Sequence, residues 1–132
     1  DGPILAGIAR ASRTESLAPW LKSLVADPDT ISWDFANAAM TARMNEEMRR
    51  AQQNLAERLF PDGTQGFDLR PAFSRLEVPL SVVWGRNDRV IPWQHILRLP
   101  DRASLHLLDR SGHIPHIERP EACAEIFNAL FT

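Results

Sequence analysis

The spacing of apolar and polar positions changes character near residue 75. Residues 1–75 read as helical, and residues 76–132 read as strand, helix, strand, helix. Leu17, Trp20, Leu21 and Leu24 recur at helical spacing and predict a helix from about Glu15 to Ala26, capped by Thr14 or Ser12. Asp27-Pro28-Asp29 stops it, because proline disfavours helix in the residue before it. A second helical stretch is predicted from Ser32 to Phe60, with a break near Asn45. Met40, Met44, Met48, Ala51, Leu55 and Leu59 lie along one face, and Glu46, Glu47, Arg49, Arg50, Gln52 and Gln53 make the other polar. Pro61-Asp62-Gly63 ends this stretch in a turn, and a loop is predicted as far as Pro71.

From Arg75 onward the pattern is that of strands. Val78, Leu80, Val82 and Val83 form a near-continuous apolar run of the kind found in a parallel strand covered on both faces. Gly85 allows a sharp turn, and Pro92 suits the first turn of a helix over 93–99, which Pro100-Asp101 ends. Leu105, Leu107 and Leu108 mark a second strand. Arg119-Pro120-Glu121 opens a last helix with Cys123, Ile126, Phe127, Leu130 and Phe131 as its apolar stripe. Two strands joined by a helix predict a right-handed βαβ unit. The fold class is therefore α/β: a helical segment, 1–75, followed by a βαβα segment with parallel strands, 76–132.

Composition narrows the field. The 132 residues are 44% apolar and 24% charged, with a formal charge of -2, which is ordinary for one soluble domain. Acids and bases are interspersed with no basic stripe, so no nucleic-acid partner is expected. No apolar run approaches the roughly 20 residues that span a bilayer, and no membrane partner is expected. The start, DGPILAGIARA, lacks the basic region and apolar core of a signal peptide. It begins with Asp rather than Met, as expected of a chain that starts within a longer protein. A single cysteine, Cys123, makes no internal disulfide and agrees with a cytoplasmic setting.

The candidate chemistry sits in two loops. Asp88 follows the first strand and His113 follows the second. Parallel neighbours bring such loops to one edge of a sheet, which places an acid beside an imidazole. That is two thirds of a nucleophile–His–acid relay. A carboxylate at Nδ1 fixes the imidazole tautomer and leaves Nε2 to take a proton. The structural alternative for Asp88 is a loop residue capping the helix near Pro92. No G-x-S-x-G occurs in the chain, and Ser111 lies in a Ser-Gly-His loop rather than a strand-to-helix elbow. His113 and His116 flank Pro115 off any helix, so metal-ligand spacing is not met and no metal is expected. His116 is expected to pack near the helical segment or the mouth of the site, His106 to face solvent or an edge, His95 to lie on the surface, and Cys123 to be a buried inert thiol. The methionine row is expected to be core rather than an adaptable pocket. Trp20, Trp33 and Phe35 either shape an apolar substrate pocket or bury the helical segment itself.

WGRND followed by IP, then Gly-His and a downstream ERPE, resembles the C-terminal third of an α/β-hydrolase. In that family the acid follows the penultimate strand and the base follows the last, which are the positions of Asp88 and His113. The helical first half looks like the cap inserted before these strands. GPILAGIARASRTESLAPWLKSLVADPDTIS and DLRPAFSRLEVPLSVVWGR are similar to the hydrolase-like acyltransferase component of acetoin dehydrogenase complexes. The resemblance implies that the seryl nucleophile belongs to strands preceding the cap. The chain is then a C-terminal portion that supplies acid and base and is inactive alone. It also implies a small acyl substrate, a lipoyl group on an upstream domain rather than a cofactor in this chain, and a place in a multienzyme complex. Other members of the scaffold, including esterases, ring-cleavage hydrolases, perhydrolases and dehalogenases, remain alternatives, since fold does not select the reaction. An interaction module is the alternative of another class. A sheet cut from its neighbours has an open edge, and homo-oligomers are expected on that ground.

Overall fold

The computed structural model describes residues 2–99 and 102–131. The chain divides into two compact units, Asp1–Ser23 with Pro28–Asp68 and Leu24–Asp27 with Leu69–Thr132.

The first unit is helical. It contains α1 (Gly2–Arg10), α2 (Thr14–Ser23), α3 (Trp33–Ala42) and α4 (Glu46–Leu59), with short 3-10 turns at Pro28–Thr30 and Pro61–Gly63. Its core gathers Ala11, Leu17 and Met40, with Ile8, Leu21 and Ala39 packed against them. Helix α1 lies outside the helices predicted above, because Gly7 weakens helix propensity in its interior, while Pro3 is tolerated in its first turn. Packing explains why it forms. A Cβ at Gly7 would overlap the Trp20 ring, so glycine is what lets α1 and α2 approach. Helix α2 ends at Ser23 rather than near Ala26, since the next four residues belong to the second unit.

The predicted break at Asn45 is present. The Asn45 side chain accepts from the amides of Glu47 and Met48, at 2.9 and 3.2 Å, and so starts α4. Ser32 starts α3 in the same way, accepting from Phe35 N–H at 3.0 Å. The break also corrects the expectation of one apolar face. Met40 is buried, but Met44, Met48 and Leu55 are 75%, 51% and 57% exposed. Two helices started by separate caps do not share one helical phase, so the methionine row is not a continuous core stripe. Arg43, at the end of α3, is buried and donates to Ile8 O at 2.6 Å. Burial pushes its guanidinium below the usual arginine range.

The second unit carries the sheet. β1 (Leu80–Gly85) and β2 (Ala103–Leu108) pair in parallel, in register from Leu80 opposite Ala103 to Gly85 opposite Leu108. Around them lie α5 (Arg70–Ser74), a 3-10 segment Trp93–Arg98, α6 (Pro115–Glu118) and α7 (Pro120–Asn128). The predicted helix after Pro92 is thus a 3-10 segment, and its expected stop at Pro100-Asp101 lies outside the described residues. The Arg102 guanidinium donates to Phe73 O and Ser74 O, at 3.0 and 3.2 Å, and satisfies the C-terminal carbonyls of α5. Two burial expectations change. His106, expected to face solvent or an edge, is half-buried, while Leu105 is 43% exposed and Leu107 half-buried. Much of the α7 stripe is also open, with Phe127, Leu130 and Phe131 exposed and Cys123 half-buried. Among the described residues no helix is long and apolar enough to cross a membrane.

Candidate active site

Both candidate residues belong to the second unit, one at the end of each strand. β1 ends at Gly85, and the turn that follows is closed by Asp88 N–H donating to Gly85 O at 3.2 Å. The Asp88 side chain then turns inward and is 3% exposed. Its two oxygens have different work. Oδ1 accepts the backbone amides of Val90 and Ile91, at 2.8 and 3.0 Å, which fixes the loop leading to Pro92. Oδ2 lies 2.9 Å from His113 Nδ1. The expected alternative, a cap on the helix near Pro92, is not made: the 3-10 segment has no side-chain cap, and Asp88 Oδ1 bonds the loop amides before it while Oδ2 meets the imidazole.

A carboxylate accepts hydrogen bonds only, so Nδ1 carries the proton in this pair. In the neutral ring Nε2 then holds the lone pair. The imidazole side chain is 33% exposed, while its Nδ1 stays on the acid.

His113 reaches this place through a close packing of backbones. A Cβ on Gly85 would overlap the carbonyl oxygens of Ser111 and Gly112. A Cβ on Gly112 would lie 2.6 Å from Leu24 O and 2.9 Å from Ala26 N. Glycine at these two positions lets the end of β1, the 111–113 loop and the Leu24–Asp27 segment stack main chain on main chain. His113 N–H donates to Leu24 O at 2.7 Å. Glu118 closes the arrangement: Oε1 accepts from Ala26 N–H at 2.6 Å, and Oε2 from Gly112 N–H at 2.5 Å and from the Ser111 hydroxyl at 3.4 Å. Nearby, an Arg86–Asp109 ion pair links the two post-strand loops, and the Arg86 guanidinium sits over the Trp93 ring at 5.5 Å.

The remaining sequence candidates lie elsewhere. His116 is exposed on α6 and His95 is exposed on the 3-10 segment. Burial raises the Cys123 thiol above its ordinary range, against an opposing pull from Arg119. Ser111 is fully buried and bonded toward Glu118. Trp33 is 56% exposed and borders an open groove of about 420 Å³ with Pro19 and Ile31. A larger groove of about 740 Å³ runs between α1 and α4, past Leu5, Ala9, Gln53 and Phe60. Neither groove is lined by Asp88 or His113. Glu118 went unassigned in the sequence, although it opens the ERPE run. Its partner Ala26 is 92 residues away, and no local pattern reports such a bond.

The sequence profile of the Alpha/beta hydrolase family matches residues 2–126. The dihydrolipoyllysine-residue acetyltransferase component of an acetoin cleaving system from Pseudomonas putida is 28% identical over 121 residues, covering 92% of this chain and 32% of that protein. A 2-hydroxy-6-oxononadienedioate/2-hydroxy-6-oxononatrienedioate hydrolase from Paraburkholderia xenovorans is 28% identical over 132 residues, covering 96% of this chain and 43% of that protein. Among solved structures, a serine hydrolase involved in carbazole degradation superposes with a TM-score of 0.80 at 23% identity, over 92% of this chain and 48% of that one. The chain spans less than half the length of each of these three proteins. With helices preceding a parallel strand pair, and a family profile matched along nearly all its length, the chain belongs to the α/β-hydrolase family.

Proposed function

We propose that this chain supplies the acid, Asp88, and the base, His113, of a Ser-His-Asp relay in a protein that transfers or hydrolyses acyl groups. The nucleophile in this reading comes from a segment outside the 132 residues, which contain no G-x-S-x-G. One observation carries the reading: a carboxylate 3% exposed, 2.9 Å from the Nδ1 of an imidazole that is 33% exposed. His113 Nε2 takes the proton of the attacking hydroxyl and returns it to the leaving group, while Asp88 holds the tautomer and stabilises the imidazolium. In this reading the helical first unit is the cap segment of the scaffold.

The two kinds of relative suggest different acceptors for the same relay. In an acyltransferase of the acetoin-cleaving type, a lipoyl thiol on another domain exchanges the acyl group, within a cytoplasmic multienzyme complex. In a ring-cleavage hydrolase, water is the acceptor. Acid and base serve either course, so the acceptor is decided by residues that precede this chain.

The test has two arms. Para-nitrophenyl acetate turnover by the isolated chain is expected to equal that of His113→Ala, and a clearly faster wild-type rate would reveal a nucleophile within it. In the protein carrying the upstream segment, His113→Ala is expected to lower kcat by on the order of 10⁶. Unchanged turnover in that variant would overturn the proposal. A second reading, self-association, is favoured by the exposed Val78, Leu105, Phe127 and Phe131 around the sheet and α7.

A further inference from the structure

We infer that Glu118 is a positioning residue for His113, setting the ring against Asp88 through the backbone on either side of Gly112. The inference rests on the reading of Asp88 and His113 as a working pair. The 2.9 Å contact joins two loops that Asn87 N–H, donating to Ser111 O at 2.9 Å, and the Arg86–Asp109 ion pair also tie together. The Asp88 loop is fixed by its own carboxylate, through the Val90 and Ile91 amides. The His113 loop is held from outside itself. Its two successive amides leave the loop: Gly112 N–H goes to Glu118 Oε2 at 2.5 Å, and His113 N–H goes to Leu24 O at 2.7 Å. Glu118 holds the acceptor strip as well, since its Oε1 takes Ala26 N–H at 2.6 Å.

One carboxylate therefore ties the loop to the segment that the loop itself leans on. The geometry is unforgiving, because a Cβ at Gly112 would already crowd Leu24 O and Ala26 N. Releasing the tie lets residues 111–113 move away from Leu24–Ala26. A displacement of about 1 Å is enough to undo a catalytic alignment, at a cost of about a hundredfold in rate. Glu118 touches neither ring nor substrate in this scheme and acts only through the main chain.

The His113 Nδ1–H resonance of the full ¹⁵N-labelled chain reads this role directly. Glu118→Gln keeps the side-chain length but presents an NH₂ to one of the two amides, which is then left without an acceptor. The expected result is an unchanged helical circular dichroism with Nδ1–H exchange accelerated about tenfold or more, through easier local opening. Asn45→Ala, which weakens an unrelated cap in the first unit, is expected to leave the resonance alone. A folded Glu118→Gln protein with wild-type Nδ1–H exchange would overturn the inference. Should Glu118→Gln not fold, wild-type hydrogen exchange decides. Protected Ala26 and Gly112 amides that open together with Nδ1–H support the role, and amides exchanging freely while Nδ1–H persists overturn it. Asp88→Asn separates the two claims. If it leaves the resonance unchanged, the acid–base pair itself fails; if it removes the resonance and Glu118→Gln does not, the Glu118 role alone fails.

Discussion

Asp88 carries two duties on two oxygens, and substitution separates them. Asp88→Ala strips the acceptor from two loop amides and is expected to destabilise the second unit by about 1–3 kcal/mol. Asp88→Asn keeps one oxygen for those amides, so urea denaturation is expected to place it between wild type and alanine. It nevertheless faces His113 with an amide NH₂, which favours the wrong ring tautomer. Equal stability losses in both variants would show that the loop bonds do not matter. Cys123 offers a residue-scale test with a pH sign. Its thiol is raised by burial, so thiolate is scarcer in the folded chain than in the unfolded one. Disulfide-exchange reagents at pH 8 are expected to react more slowly with the native chain than with the urea-unfolded chain, and the gap should narrow as pH rises through the native value. The linked stability is complete below the ordinary thiol range and declines above it, because the folded state holds this proton more tightly.

Helix starts and strand ends were the features most open to reading from local sequence. Asn45 interrupts a polar-apolar pattern with a side chain that competes for backbone amides, and the chain uses it to start α4. Asn45→Ala is expected to cost about 1 kcal/mol and to lower helical circular dichroism, and no loss of signal would mean that tertiary contacts alone hold α4. Asp88 and His113 were legible as neighbours because each follows one strand of a parallel pair, whose ends share an edge. Helix α1 was not legible, since Gly7 argues against helix locally and favours it only once Trp20 lies across it. The α7 stripe and the methionine row show the reverse error. Periodicity reports which face is apolar, but not whether anything covers it, and Phe131 and Met44 stay about three-quarters exposed. Glu118 escaped notice for a third reason: its value lies in a bond to Ala26, far away in sequence.

At the largest scale, two strands among the described residues form one small sheet with apolar residues left open beside it. Such edges and faces invite pairing. Light scattering is expected to return a dimer or larger species at concentrations where an ordinary domain is monomeric, and a clean monomer would count against self-association. Residues 24–27 bear on how the protein can be handled. They lie in the sequence between two stretches of the helical unit, yet they belong with the sheet. Neither half is therefore a contiguous piece of polypeptide. A clone starting at Leu69 would lack Leu24 and Ala26, the strip against which the histidine loop is moored. Any attempt to express the sheet-bearing half by itself must graft that tetrapeptide back, or supply it as a peptide in trans.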